Sequence, residues 1–300
     1  MASTVYKLNQ RGLITPPKWL PDNIHYETIM GSISYGASSD TSDFDVLGFA
    51  IPPKEDVFPH LRGEILGFGR QKNRFEQYQQ HHIVDADAVD GRGREYDLTI
   101  YSIVKYFSLT MDGNPNMLNS LYTPHDCVLH ITKIGQAVRD NRGVFLSKNV
   151  YHRYRGFAFS QISKMKQKTE DSKRWVMIQE YGYDCKFAMH AIRAVLECEQ
   201  ILTEGTLDLR RNADMLKSIR NGEWTEQQVR DWFTQKEMLL QPLYNSSPLP
   251  YAPDEGKIKR LLLDCLEEHY GSLADAVTIQ SRGDEVISEI VDVLARNKYL

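Results

Sequence analysis

The spacing of hydrophobic and polar positions divides the chain into two parts. In the first part, short runs rich in β-branched and aromatic residues lie between Gly, Pro, Asp or Ser, which is typical of strands. From about residue 128 onward the spacing becomes helical. The predicted strands are residues 26–30, 44–51 and 96–101, and the predicted helices lie near residues 131–141, 152–167, 174–181, 185–202, 211–220, 225–240, 254–269 and 282–296.

This pattern predicts an α+β protein in which one small sheet precedes a helical region. Residues 140–149 are the expected hinge, so we place a first domain at residues 1–145 and a second at residues 146–300. The proline-rich residues 245–254 cannot continue a helix, and Asp254 is expected to cap the helix that follows. No internal repeat or low-complexity tract interrupts this organisation.

The composition is that of an ordinary soluble globular chain. Of 300 residues, 41% are hydrophobic and 25% are charged, which is enough for one large domain or two ordinary ones. No apolar run approaches the roughly 18 residues that span a bilayer, and the N-terminus lacks the pattern of a secretory signal. A cytoplasmic location without a membrane partner is therefore expected. The four cysteines form no Cys-x-x-Cys pair and are interpreted as buried thiols: Cys127, Cys185, Cys198 and Cys265.

The net charge and its distribution along the chain limit how the protein can bind nucleic acid. A net charge of -4 argues against a protein that coats nucleic acid through bulk electrostatics. Between residues 148 and 174, however, eight positive residues stand against two negative ones, a local charge of +6. A solvated helix face explains such a run by itself, but residues 151–155 interleave aromatic and basic side chains, as surfaces for single-stranded nucleic acid do. Arg153, Arg155 and Lys164 are therefore candidate contacts to a nucleic acid.

The most informative segment is residues 29–48. A predicted strand ends before Gly31 and Ser32, whose turn offers backbone amides and a hydroxyl to phosphate oxygens. Asp43 and Asp45 begin the next strand with one residue between them, and residues i and i+2 of a strand share a face. Two such carboxylates repel each other unless a cation neutralises them, and hard oxygen ligands suit Mg²⁺ or Mn²⁺. An isolated Asp-x-Asp is most often a solvated turn, but this context favours a metal site.

A third carboxylate lies on a later predicted strand. Asp97 stands in an otherwise apolar run, where a lone charge is costly to bury without a partner. A cation shared with Asp43 and Asp45 would provide that partner. The alternative is an edge strand on which Asp97 faces solvent.

His81 and His82 are adjacent in sequence and would alternate faces on a strand. Two such histidines cannot easily bind one zinc ion. We expect a satisfied or exposed imidazole at each position, with at most one of them lining a cleft.

The residues of the first half carry a family resemblance. A strand, a Gly-Ser turn, an Asp-x-Asp strand and a later carboxylate strand together resemble the DNA polymerase β-type nucleotidyltransferase superfamily. The resemblance implies a small mixed-sheet nucleotidyltransferase domain followed by an α-helical domain that binds nucleotide and acceptor. It also implies that Asp43, Asp45 and Asp97 are catalytic and bind metal, and that Gly31 and Ser32 bind nucleotide.

Segments farther along the chain resemble one group within this superfamily. Residues 97–107, 113–116, 181–190 and 218–224 are together similar to the RNA-ligase-associated predicted nucleotidyltransferases, a group with phage and bacterial members. This similarity covers most of the chain. It implies a link to RNA repair and does not specify the acceptor.

The helix predicted at residues 185–202 offers contacts for a nucleotide. Its basic residues recur at steps of four and three and therefore share one face, and the turn before it is suited to hold a base or ribose. The alternative is a solvated stripe, and an i,i+4 pair with Arg193 is the preferred interpretation of Glu197. The predicted nucleotide-binding residues in this region are Tyr183, Asp184, Lys186, His190 and Arg193.

Together these features predict a metal-dependent nucleotidyltransferase. An acceptor hydroxyl would attack the α-phosphate of a nucleoside triphosphate, with Mg²⁺ or Mn²⁺ held by the three carboxylates. The resemblance favours tRNA or an RNA end as the acceptor, contacted by Arg153, Arg155 and Lys164. The alternatives are nucleotidylation of a protein or small molecule, and a non-catalytic nucleotide-binding regulator or toxin–antitoxin partner on the same fold. The preferred nucleotide and the oligomeric state are left open.

Overall fold

The computed structural model describes residues 2–37, 44–166 and 173–274, together with residues 290, 291 and 294. The strands are β1 (Ile24–Ile29), β2 (Phe44–Ala50), β3 (Gln77–Asp85), β4 (Arg94–Ser102) and β5 (Val128–Ile131). The helices are α1 (Thr4–Gln10), α2 (Lys54–Val57), α3 (Ala88–Gly91), α4 (Ile103–Met111), α5 (Pro115–Tyr122), α6 (Lys133–Asp140), α7 (Val150–Lys164), α8 (Lys173–Tyr181), α9 (Cys185–Glu204), α10 (Ala213–Arg220), α11 (Glu226–Ser246) and α12 (Glu255–Tyr270). None of the helices in the described ranges is long and apolar enough to cross a membrane.

The strands form one mixed sheet in the order β3-β4-β2-β1-β5. β2 and β4 run parallel, whereas the other neighbouring strands are antiparallel. A parallel pair needs a long crossover connection, and residues 51–93 supply it with α2, β3 and α3. Because parallel strands begin at the same edge of a sheet, Phe44 at the start of β2 lies beside Tyr96 near the start of β4.

The two faces of the sheet have different neighbours, since successive side chains of a strand point to opposite faces. On one face, Val46 and Leu98 pack in a cluster with Val5 of the N-terminal helix α1. On the other face, Phe49 belongs to a larger buried cluster that continues into the helices and includes Ile192 of α9. The sheet is therefore covered on one side by α1 and on the other by the helical region.

Helices α4 and α6 pack on the sheet, α5 links them to α7, α7 pairs with α9, and α10 and α11 pack on α9. Phe145, within the expected hinge, is fully buried and contacts Phe107 edge-on, with ring centroids 5.3 Å apart. The larger cluster includes residues from both sides of position 145. A domain boundary at that position stays a prediction.

Helix α12 contacts strand β1 through two histidines. Nε2 of His25 lies 3.1 Å from Nδ1 of His269, and Nδ1 of His25 lies 2.9 Å from the Thr132 hydroxyl oxygen. Burial, together with the neighbouring His269 and His130, lowers the pKa of His25 to about 3. Burial also lowers the pKa of His269. Both shifts favour the neutral form of these imidazoles in the folded protein.

The predicted α+β class is confirmed, as are the three predicted strands and the predicted helices between residues 131 and 269, with shifted ends. Asp254 caps α12 as expected, accepting a hydrogen bond from the Lys257 amide at 3.0 Å, and the four cysteines are free and buried. Strands β3 and β5 are not predicted from the sequence pattern, since β3 carries few apolar positions and β5 is short. The helix predicted at residues 282–296 lies largely outside the described residues.

Candidate active site

Asp45 and Asp97 lie side by side near the centre of the sheet. They are register partners in the parallel pair β2 and β4, and adjacent strands lie roughly 4.8 Å apart, so both carboxylates project from the same face. Phe44 faces the opposite side, where it is half-buried and contacts the Tyr96 ring edge-on at 5.5 Å between centroids. Asp43 lies outside the described residues, and its metal-binding role stays a prediction.

The turn after β1 brings its backbone against the Asp45 carboxylate. The Met30 amide donates to the Asp45 carbonyl oxygen at 2.7 Å, and the Ser34 amide and hydroxyl donate to the Gly31 carbonyl at 3.1 and 2.8 Å. Gly31 adopts a φ of 72°, and a Cβ at this position would overlap Oδ2 of Asp45. Ser32 is half-buried beside it in the same turn. Only glycine therefore permits this approach without displacing a candidate metal ligand.

A bulge in β3 places His81 and His82 against Asp97. The β3–β4 register shifts between Gln80 and Ile83, and His82 has a positive φ of 54°. The His82 amide donates to Oδ1 of Asp97 at 2.8 Å, and Nδ1 of His81 lies 3.4 Å from Oδ2. Such bulges re-aim side chains next to functional sites. At the bulge, the backbone amide of His82 and the side chain of His81 therefore meet the same carboxylate.

The side chain of His81 lies between Gln79 and Asp97. Nε2 of Gln79 lies 2.6 Å from Nε2 of His81, and an amide nitrogen can only donate. This contact fits the tautomer in which Nε2 of His81 accepts and Nδ1 carries the hydrogen towards Asp97. Gln79 and His81 thus form a directed chain that ends on Asp97.

Glu95 adds an acidic group that is not among the residues predicted from the sequence. It precedes Asp97 by two positions on β4, so it shares the same face, and its Oε1 lies 2.5 Å from Nδ1 of His82. Ligand atoms of His82, Glu95 and Asp97 all lie within 4.8 Å of one another. With Asp45 beside Asp97, this region offers the carboxylate oxygens that Mg²⁺ and Mn²⁺ take as ligands. The donor set therefore fits the predicted divalent cation.

A cleft of about 380 Å³ separates this part of the sheet from the helices. Gly31, Asp45, His81 and Asp97 line its sheet side. The opposite side is lined by Asn116 of α5, Phe157 and Gln161 of α7, and Phe187, His190 and Arg193 of α9. Two of the predicted nucleotide-binding residues of α9 thus reach the cleft, whereas Lys186 is half-buried and does not line it.

Arg193 belongs to a buried polar network that joins α9 to the turn after β1. Its Nη1 donates to Glu197 at 3.1 Å, and its guanidinium lies 4.0 Å from the Tyr35 ring centroid. Asn119 donates to Glu197 at 3.1 Å and accepts from the Tyr154 hydroxyl at 3.2 Å. Burial raises the pKa of Glu197, and the adjacent Arg193 guanidinium opposes that rise. The expected Arg193–Glu197 pair is confirmed, but it is buried and does not lie on a solvated stripe.

The turn before α9 has a structural role where a nucleotide contact was expected. Tyr183 is fully buried, and its hydroxyl donates to the Trp224 carbonyl oxygen at 2.6 Å. Asp184 is also buried and caps α9 by accepting hydrogen bonds from the amides of Lys186 and Phe187 at 2.9 and 3.1 Å. Neither residue lines the cleft. The turn anchors the helix that carries His190 and Arg193, and a contact of Tyr183 or Asp184 with a nucleotide stays a prediction.

Two of the three predicted acceptor contacts on α7 are engaged within the chain. Arg153 forms an ion pair with Asp112 and donates through Nε to its carbonyl oxygen at 3.0 Å. Arg155 forms an ion pair with Glu237. Lys164 is half-buried and follows the cleft-lining Gln161 by three positions, so it lies on the same helix face. None of the three lines the cleft, and their contact with an acceptor stays a prediction.

Comparison with known proteins identifies the family. Residues 15–237 match the model of the RNA repair pathway DNA polymerase beta family (RlaP). The chain belongs to this family. The matched range includes the Gly31 turn, strands β1 to β5, helices α2 to α10 and the first part of α11. The resemblance to polymerase β-type, RNA-ligase-associated nucleotidyltransferases is thereby confirmed.

Two further similarities are more distant. An uncharacterised 38.9 kDa protein of Enterobacteria phage T4 is 25% identical over 174 residues, which make up 52% of this chain and 47% of the phage protein. The match therefore spans about half the length of that relative. A nucleotidyltransferase-like protein from Exiguobacterium sibiricum aligns over 97% of this chain and 90% of its own, with 10% identity and a TM-score of 0.28. At that TM-score the similarity carries no argument.

Proposed function

We propose that this protein transfers a nucleoside monophosphate from a nucleoside triphosphate to a hydroxyl group of an RNA, in a reaction that requires a divalent cation. The observation that carries the proposal is the register pair of Asp45 and Asp97, which lies against the Gly31 turn at the cleft. Membership of a polymerase β family associated with RNA repair supports both the chemistry and the class of acceptor.

The two sides of the cleft have separate tasks in this reaction. Asp45 and Asp97 hold the cation on the sheet side, with Asp43 as an expected further ligand. When bound, Mg²⁺ or Mn²⁺ supplies charge neutralisation at the transferring phosphate. His190 and Arg193 bind phosphate oxygens from the opposite side, and Nε of Arg193 is a buried donor without a hydrogen-bond partner among the described residues.

The reaction exchanges one phosphoester bond for another. The acceptor oxygen attacks the α-phosphorus in line, the bond from that phosphorus to the bridging oxygen of the β-phosphate breaks, and pyrophosphate leaves. The buried and half-buried walls of the cleft restrict water at this position, which favours the acceptor over hydrolysis.

Replacing Asp45 by Asn tests the proposal. The variant keeps the shape of the side chain and removes a charged oxygen ligand, so transfer is expected to fall below detection while the fold is retained. The assay incubates the protein with Mg²⁺ or Mn²⁺ and each α-labelled nucleoside triphosphate. Total tRNA, single-stranded RNA, single-stranded DNA, protein or no acceptor is offered in parallel, and the species that retains label is identified.

Asp87→Asn is the matched control, because Asp87 is 90% exposed and pairs with Arg11 away from the cleft. This control is expected to label RNA at the wild-type rate. Undiminished transfer by Asp45→Asn would exclude the metal site, and label on protein alone would exclude RNA as the acceptor.

A further inference from the structure

The cleft face of strand β3 continues the sheet wall of the candidate active site. Gln79 lies opposite Thr99, which lines the cleft, and Gln77 lies opposite Tyr101. Directly opposed residues of antiparallel strands project to the same face, and β3 is an edge strand of the sheet. Gln77, Gln79 and His81 are all exposed. A row of polar side chains therefore leads from the candidate metal ligands to the end of the strand.

The chemistry of this row suits nucleotide bases and riboses. Nε2 of Gln77 donates to Oε1 of Gln79 at 3.2 Å, which aligns the two amides. Each amide has two hydrogens and two acceptor sites, so donors and acceptors remain on the exposed side. Unpaired bases of single-stranded RNA present donors and acceptors of the same kind, and an exposed sheet face is a common platform for them.

The loop before β3 adds positive charge at the far end of the row. Arg70, Lys72 and Arg74 are exposed, and within the described part of the chain none of them forms an ion pair. Residues 62–82 carry four Arg or Lys and two Glu, a net charge of +2 in a chain whose net charge is -4. Phe68 in the same loop is 77% exposed, and an exposed aromatic ring beside cations is a stacking platform for bases.

A second hollow, of about 260 Å³, lies where the row ends. Arg74, Ser102 and Lys105 are among the residues that line it. Ser102 follows Asp97 by five positions on β4, which corresponds to about 17 Å at the usual rise of a strand. The row therefore runs along the sheet from the cleft towards the second hollow, as an extended single strand requires.

We propose that Gln77, Gln79 and His81, together with Arg70, Lys72 and Arg74, form a surface that binds the single-stranded end of the acceptor RNA. We call these six residues the β3 surface. The cations contact backbone phosphates, the two amides contact bases or ribose hydroxyls, and the terminal hydroxyl is directed to the edge where Asp45 and Asp97 lie. This inference rests on the proposed function for the identity of the acceptor. It relocates the acceptor path from α7, where Arg153 and Arg155 are already paired, to the sheet.

Binding of a short fluorescein-labelled single-stranded RNA, followed by anisotropy without nucleotide at several KCl concentrations, tests the β3 surface. The triple variant Arg70→Ala, Lys72→Ala, Arg74→Ala is expected to bind at least about tenfold more weakly. Its slope of log K against log salt should be shallower by about 2, because each lost phosphate contact to a single strand reduces the slope by roughly 0.7. The double variant Gln77→Ala, Gln79→Ala should weaken binding without changing the slope.

Two further triple variants test whether RNA binding depends on the β3 surface or on cations elsewhere in the protein. Lys217→Ala, Lys257→Ala, Lys259→Ala removes the same charge from exposed positions of α10 and α12 and should bind RNA like the wild type. Arg153→Ala, Arg155→Ala, Lys164→Ala removes the cations of α7, and a larger loss here than in the loop variant would overturn the proposal. Equal losses in the loop variant and the α10–α12 control, or no RNA binding by the wild type, would do so as well.

Nucleotide binding separates this proposal from the proposed function. The loop variant should bind a labelled nucleoside triphosphate with Mg²⁺ as the wild type does, because its changes lie outside the cleft. If the loop variant loses RNA binding while wild-type protein transfers no label, the surface stands and the proposed reaction fails. If transfer to RNA occurs and the loop variant binds RNA normally, the reaction stands and the surface is wrong.

Discussion

At the scale of single residues, the missing side chain of Gly31 leaves the space that the Asp45 carboxylate occupies. Gly31→Ala places a side chain in a backbone with φ of 72° and against the Asp45 carboxylate. We expect transfer to fall by roughly 100-fold, the size of effect that a displacement of about 1 Å at a reacting centre produces. Initial rates with an α-labelled nucleoside triphosphate measure this loss.

Gly12→Ala is the control for backbone strain alone. Gly12 has a similar φ of 69°, and no atom lies within 4 Å of the position that a Cβ would take. Both variants should lose a similar amount of stability, on the order of 1 kcal/mol in urea titrations. Equal rates for the two variants would show that Asp45 tolerates the added methyl group.

A residue of the site could be predicted where its neighbours in the sequence already indicate its chemical role. Gly31, Asp45 and Asp97 carry a local signal, because glycine and carboxylates at strand ends are costly without a function. Glu95 was accessible to the same reasoning, since it precedes Asp97 by two positions. The burial of Tyr183 was not predictable, because an aromatic residue before a helix looks the same in sequence whether it holds a base or packs in the core.

At the scale of elements, the sequence predicts those strands and helices that have a periodic buried face. Strands β2 and β4 and helix α9 are confirmed for that reason. Strand β3 lacks such a face, and its bulge cancels the alternation that would have indicated a strand. The contact between His81 and Asp97 depends on that bulge. It could not be predicted, because a shifted register is a property of two paired strands.

The contact between α12 and β1 predicts a response to acid. His25 has a folded-state pKa of about 3, whereas an unfolded histidine has a pKa of about 6.5. Below about pH 6.5 the unfolded chain therefore binds more protons than the folded one, and the free energy of unfolding falls as pH is lowered. For His25 alone we expect a loss of about 2 kcal/mol between pH 6.5 and pH 5. Urea unfolding at each pH measures it.

His269→Asn removes one imidazole of this pair and its effect on the pKa of His25. The loss of stability between pH 6.5 and pH 5 should then be smaller than in the wild type. His125→Asn is the control, since His125 is exposed and should leave the pH profile unchanged. An unaltered acid response in His269→Asn would assign the response to other groups.

At the scale of the whole molecule, the network around Arg193 connects the sheet to the helices. Glu197→Gln leaves the Arg193 guanidinium buried without its counter-charge, and breaking a buried pair in this way costs about 3 kcal/mol. The urea midpoint should fall accordingly, and circular dichroism and tryptophan fluorescence should report the same transition if both parts unfold together.

Glu199→Gln, two residues further along α9, provides the comparison. Glu199 is 30% exposed and pairs with Lys236 at 2.8 Å, and an ion pair of this kind contributes less than about 1 kcal/mol. Equal destabilisation by the two variants would contradict a special role for the buried network. Separate transitions for the sheet and the helices would instead support the domain boundary predicted near residue 145.

The backbone hydrogen bonds of the parallel pair β2 and β4 set the distance between Asp45 and Asp97. This distance does not depend on the length of the chain that connects the two strands. Residues 51–93 can therefore gain or lose residues in loops while the spacing of the two carboxylates stays constant. A single insertion within β4 before Asp97, by contrast, would turn that carboxylate to the face covered by α1. Across related chains, the separation of the two aspartates in sequence is free to drift, and their position relative to each strand is not.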